Sequence, residues 1–150
     1  MIDFLGDVLA QRVPTVAQGV QHDFCWEWLA EGVLSFTPKQ AYEKAVVLSA
    51  GVHGNETAPI ELLAQLSQDI FAGALQLKVK LMLILGNPVA IRSGQRYVEN
   101  DMNRMFCGAH QQFSETFEAK RVAELEKLVA DFFQSCPAQV KRYHYDLHTA

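Results

Sequence analysis

Two short apolar runs constrain this chain more than any other feature: "KAVVLSAG" at 44–51 and "VKLMLILGN" at 79–87. Each is rich in aliphatic residues and closed by a glycine turn, which suits a strand covered on both faces. Between them, from Thr57 to about Phe71, the apolar positions Ile60, Leu63, Ala64, Leu66, Ile70 and Phe71 fall near helical spacing. Pro59 sits in the first turn of that helix, where a missing N–H does no harm.

The remainder extends the pattern. "DFCWEW" (23–28) alternates and "VLSF" (33–36) follows Gly32, which predicts a hairpin at one edge of a sheet. Residues 87–110 read as mostly irregular. From about Ser114 to Phe133, Phe117, Val122, Leu125, Leu128, Val129 and Phe132 form an amphipathic stripe. Glu115, Glu118, Lys120, Arg121, Glu124 and Lys127 fall largely outside it. "VKRYHYDL" (140–147) reads as a final strand. The expected class is α/β, with a largely parallel or mixed central sheet flanked by helices and an N-terminal hairpin.

With 150 residues the chain is about one domain, long enough to bury roughly 70% of its unfolded surface without staples. A net charge of -4 leaves no surplus of cations for phosphates, so no nucleic-acid partner is expected. No apolar run approaches ~18 residues, so no membrane span is expected. The N-terminus lacks a basic segment and carries Asp3 and Asp7, unlike a signal peptide, so a cytoplasmic location is expected. Cys25, Cys107 and Cys136 are odd in number and widely spaced, and read as free thiols. The chain stops just after a strand-like run and a histidine, so it is expected to be the N-terminal portion of a longer protein.

Ligands of open α/β sheets collect outside the carboxyl ends of the strands. His53 lies just past the run 44–51, with Glu56 three residues on, and His148 lies just past 140–147. HxxE alone would stay a turn; a second histidine at a matching strand end shifts the reading to a metal site. Two imidazoles and a carboxylate are the ligand set of a catalytic zinc with a fourth position for water. Asp146, two residues before His148, is expected to orient a ligand histidine or to anchor the neighbouring loop. His22, His110 and His144 have no motif support and are read as non-ligands.

The stretch "RSGQRYVENDMNRMF" gathers Arg92, Arg96, Asn103 and Arg104 in an acidic chain. A guanidinium fork suits carboxylate recognition. Spacing leaves open whether Arg96 and Arg104 receive an anion or pair with Glu99 and Asp101. Arg92 is read as a solvated loop residue with that pairing.

"SAGVHGNETAPIELL", "LGNPVAIRSGQRYVENDMNRMF" and "YDLHTA" together resemble the succinylglutamate desuccinylase and aspartoacylase family of zinc hydrolases. The three blocks occur in the family's order and cover most of 45–150. The resemblance implies a zinc-carboxypeptidase-like α/β domain followed by a smaller β-rich domain. It implies one Zn2+ per chain on His53, Glu56 and His148. Arg96 would polarise the scissile amide carbonyl and stabilise the oxyanion, and Asn103 and Arg104 would bind a substrate carboxylate.

The family's general base is a glutamate later in the chain, and the resemblance gives Glu61 and Glu99 no such role. Residues 1–150 are therefore expected to form an incomplete N-terminal zinc-binding hydrolase domain acting on a small anionic N-acyl amino acid. The implied reaction is hydrolysis of N-succinyl-L-glutamate to succinate and L-glutamate, in arginine catabolism. The alternatives are an aspartoacylase-like deacylase of N-acetyl-aspartate and a non-catalytic zinc-binding module.

Overall fold

In the computed structural model the two apolar runs lie side by side as parallel strands at the middle of one sheet. The structure describes residues 2–113 and 115–149. Its elements run α1 (Phe4–Leu9), β1 (Gln18–Gln21), β2 (Phe24–Ala30), β3 (Val33–Pro38), β4 (Lys44–Ala50) and α2 (Thr57–Phe71). They continue with β5 (Lys80–Leu85), α3 (Pro88–Ser93), α4 (Phe117–Gln134) and β6 (Lys141–Asp146). The six strands are ordered β1-β2-β3-β5-β4-β6.

The sheet is mixed. β4 pairs in parallel with both β5 and β6, while β1, β2 and β3 form an antiparallel meander joined to β5. The expected hairpin is β2–β3, and it extends the sheet rather than merely covering an edge.

Alternation along β5 divides the core in two. Leu81, Leu83 and Leu85 point to α1 and α2, joining Phe4, Val8, Ile60, Leu63 and Phe71. Met82 and Ile84 point to α4, joining Val47, Val122, Leu125 and Phe132. Each such side chain, when fully buried, contributes about 1.5–3 kcal/mol. β5 is buried along its whole length, whereas β6 is exposed along most of its.

The segment expected to be irregular holds a short helix. Asn87 accepts from the Ala90 N–H at 3.1 Å, Pro88 follows in the first turn, and α3 results. A 3-10 turn, Met102–Arg104, buries Met102 against α4. The helix expected from about Ser114 begins at Phe117, capped by Thr116, and Ser114 itself lies outside the described residues.

Two charged residues placed outside the α4 stripe are in fact buried: Glu118 is 0% exposed and Arg121 is 7%. Arg121 donates to the carbonyls of Gly86, Leu85 and Glu31, closing the end of β5. Arg92 does not pair with Glu99 or Asp101. It binds Glu31 and the Val8 carbonyl, tying α3 to the N-terminal half. All three cysteines are free, with Cys25 and Cys107 exposed and Cys136 buried. Among the described residues no helix is long and apolar enough to cross a membrane.

Candidate metal centre

β4 has β5 on one side, reached through α2, and β6 on the other, reached through α4. The two crossovers thus pack on opposite faces of the sheet and place their strands on opposite sides of β4, which opens a crevice at its carboxyl end. The segment Gly51–Glu56 and the residues after Asp146 meet there.

Glycine lets the first of these segments turn so tightly. Gly51 has φ +71, and a Cβ on it would stand 2.6 Å from Ile91. A Cβ on Gly54 would stand 2.2 Å from the Ala90 carbonyl carbon, so only glycine fits against α3. The Gly54 N–H donates to the Arg96 carbonyl at 3.1 Å, fastening this turn to the arginine-bearing loop. Glu56 then occupies the N-cap position of α2, yet its carboxylate accepts nothing from that helix. It faces the two histidines instead.

One ligand atom from each of His53, Glu56 and His148 lies within 4.8 Å of the others. His148 Nδ1 is 2.9 Å from Glu56 Oε2. His53 Nδ1 is 3.4 Å from the same oxygen, and the two rings are 5.1 Å apart, centroid to centroid. His53 is only 3% exposed, and its Nδ1 has no hydrogen-bond partner among the described residues. A buried polar atom without a hydrogen bond is costly, and one aimed at a carboxylate and a second imidazole suits the part of a metal ligand. The donor set therefore fits a zinc-type cation.

The other nitrogen of each ring is held by a carboxylate. His53 Nε2 pairs with Asp101 Oδ1 at 2.9 Å, and His148 Nε2 pairs with Asp146 Oδ2 at 2.7 Å. Such partners fix ring orientation and tautomer at metal sites. Asp146 thus takes the expected orienting place. Asp101 reaches Arg96 only at 3.8 Å, and among the described residues Arg104 is not its partner. Its partnership with His53 has no signal in sequence spacing.

Charge in the cradle is strongly mutual. Burial raises the Glu56 pKa, but the hydrogen bond with His148 and the charges of both histidines outweigh it and hold the carboxyl below its usual range. Burial lowers the His148 pKa, but Asp146 and Glu56 more than offset that and raise it. For Asp101, burial raises the pKa, while His53, the Asn103 N–H and Arg96 bring it below the ordinary value.

Arg96 stands beside the cradle with its side chain 55% exposed. Asn103 and Arg104 are exposed on the 3-10 turn. What fixes this loop is Glu118, which reading α4 as amphipathic left in solvent. Its carboxylate accepts from the N–H groups of Val98, Glu99 and Asn100 and from Asn87 Nδ2, at 2.8–3.0 Å. Burial raises its pKa, and these four donors outweigh that, so the carboxyl stays below its usual range. Glu99 is spent as well, accepting from the Phe117 N–H at 3.2 Å.

The class this chain presents is a carboxypeptidase-like α/β domain with a His–Glu–His cluster at the sheet's carboxyl rim. The pattern describing the Succinylglutamate desuccinylase/Aspartoacylase catalytic domain matches residues 42–150, and the chain belongs to this family. It is 50% identical to succinylglutamate desuccinylase of Yersinia pestis (strain Pestoides F) over all 150 residues, which are 45% of that protein. The crystal structure of succinylglutamate desuccinylase from Chromobacterium violaceum superposes with a TM-score of 0.86 at 40% identity, covering 97% of this chain and 45% of that one. The Vibrio parahaemolyticus enzyme of the same name gives a TM-score of 0.88 at 30% identity, over 98% of this chain and 50% of that one. The chain therefore spans about half the length of the relatives it matches.

Proposed function

We propose that this chain is the zinc-binding part of an amidohydrolase that cleaves N-succinyl-L-glutamate to succinate and L-glutamate. The observation that carries the reading is the orphaned Nδ1 of His53, buried and turned toward Glu56 and His148. Kinship with desuccinylases supplies the substrate.

His53, Glu56 and His148 would hold one zinc. When bound, zinc supplies a water of pKa about 7 and polarises a carbonyl oxygen. The rest falls to the chain's own side chains. Asp101 and Asp146 keep the two Nε2 positions occupied, so that both histidines offer Nδ1. Arg96 places a guanidinium beside the cradle, where charge develops on the scissile carbonyl oxygen. Asn103 and Arg104 offer donors to a substrate carboxylate on the same rim. No described carboxylate is assigned as general base: Glu99 is engaged at α4, and Glu61 is exposed on α2.

The test is zinc per chain after dialysis, measured on the parent and on His148→Ala. About one zinc in the parent and a clear loss in the variant is the expected result. A well-folded parent without zinc would end the reading. Specificity is tested on a chain extended to the relatives' length, by comparing turnover of N-succinyl-L-glutamate and N-acetyl-aspartate. Preference for the latter would move the assignment to an aspartoacylase-like enzyme.

A further inference from the structure

We infer that Ser49 is a positioning residue for the metal centre, acting through Asp146 on His148. The inference rests on the metal-binding reading above and extends it one layer outward.

Ser49 is the penultimate residue of β4 and is 5% exposed. The parallel register sets it directly opposite Asp146 on β6. Its hydroxyl donates to Asp146 Oδ1 at 2.7 Å, while Asp146 Oδ2 holds His148 Nε2, also at 2.7 Å. Beyond β6, the Leu147 N–H donates to the Ser49 carbonyl at 2.8 Å, so one residue steadies both the carboxylate and the backbone leading to His148.

Proton counting gives the chain a direction. A serine hydroxyl carries one hydrogen, and Asp146 takes it. The 3.0 Å contact between Ser49 Oγ and His144 Nε2 must then run from His144 to Ser49. The sequence runs His144 Nε2–H to Ser49 Oγ, Ser49 O–H to Asp146 Oδ1, and His148 Nε2–H to Asp146 Oδ2.

Without Ser49, Asp146 would be a strand-end carboxylate about one-third exposed, free to sample other rotamers. His148 would then lose the constraint that aims Nδ1 at Glu56. Removing partners of this kind costs metal sites about 10–100-fold in affinity.

Ser49 also lines a cavity of about 590 Å³, with His144, Asp146, Ile84, Leu125 and Phe106. Ser49→Thr is the conservative variant that keeps the hydroxyl, whereas Ser49→Ala removes only an oxygen from the cavity wall.

The experiment measures zinc affinity by competition with a chromophoric chelator. It compares the parent, Ser49→Ala, Ser49→Thr, Asp146→Ala and the Ser49→Ala/Asp146→Ala double variant. Melting midpoints of the metal-stripped proteins serve as the folding control. Ser49→Ala is expected to bind zinc about tenfold more weakly, with Ser49→Thr within about threefold of the parent. The double variant should match Asp146→Ala alone, because Ser49 acts only through that carboxylate. Equal affinity of Ser49→Ala and the parent overturns the inference, as does equal weakening by alanine and threonine or full additivity in the double variant. A folded parent that binds no zinc overturns the metal reading itself and the inference with it.

Discussion

His53 Nε2 sits 2.9 Å from Asp101 Oδ1, which leaves the other ring nitrogen facing Glu56 with no hydrogen-bond partner of its own among the described residues. Asp101 comes from the loop before the 3-10 turn, 48 residues further along, so two remote segments fix one imidazole. Asp101→Ala should weaken zinc binding about 10–100-fold while leaving the fold intact, since Asp101 takes no part in either core. A chelator-competition titration reads this directly, and unchanged affinity would show that His53 is oriented by packing alone.

Zinc removal should leave the domain folded. Two apolar cores flank the sheet without help from the cradle. Chelation should therefore preserve the far-ultraviolet circular dichroism, and adding zinc at 100 times its Kd should stabilise the fold by about 2.7 kcal/mol. Collapse of the spectrum on chelation would instead mark the metal as structural and favour the non-catalytic module.

Acid should loosen the arginine-bearing loop. The folded pKa of Glu118 lies below its unfolded value, so its contribution is complete above about 4.3 and is lost as pH falls through the folded pKa. Glu118→Gln should flatten that acid limb and cost about 2 kcal/mol or more at neutral pH, because four converging donors lose a charged acceptor. Urea midpoints across the acid range test this, and an unchanged slope in the variant would place the acid sensitivity elsewhere.

Two glycine substitutions should separate crowding from backbone strain. Gly54→Ala drives a Cβ into the Ala90 carbonyl and should cost about 1–3 kcal/mol as well as disturb zinc binding. Gly94→Ala meets no atom within 4 Å, and its φ of +66 should cost only about 1–2 kcal/mol with zinc binding kept. Similar behaviour of the two variants in zinc titration would refute the role given to the 51–56 turn.

The strands β4 and β5, the β2–β3 hairpin and the helix α2 were legible because apolar periodicity reports burial directly. The histidines were legible because strand ends in an α/β sheet share a rim. Other features follow from tertiary context that periodicity does not carry. β1, "QGVQ", is polar and is a strand only because β2 pairs with it. α3 begins at a capping asparagine whose amide is also needed by Glu118, so its helicity is tied to a distant residue. Glu118 and Arg121 look like a solvated helix face. They are buried because orphaned backbone groups at the end of β5 and in the loop 98–100 need charged partners there. Ser49 reads as an interruption in an apolar strand until β6 is laid beside it.

The cradle also has a consequence for how the molecule assembles. Glu56 and His148 are 92 residues apart and meet only because β6 zips alongside β4. Closing so long a loop is a late and slow event compared with forming α2 or the hairpin. Capture of a metal during refolding would then act as a clock, ticking only when the last strand has docked.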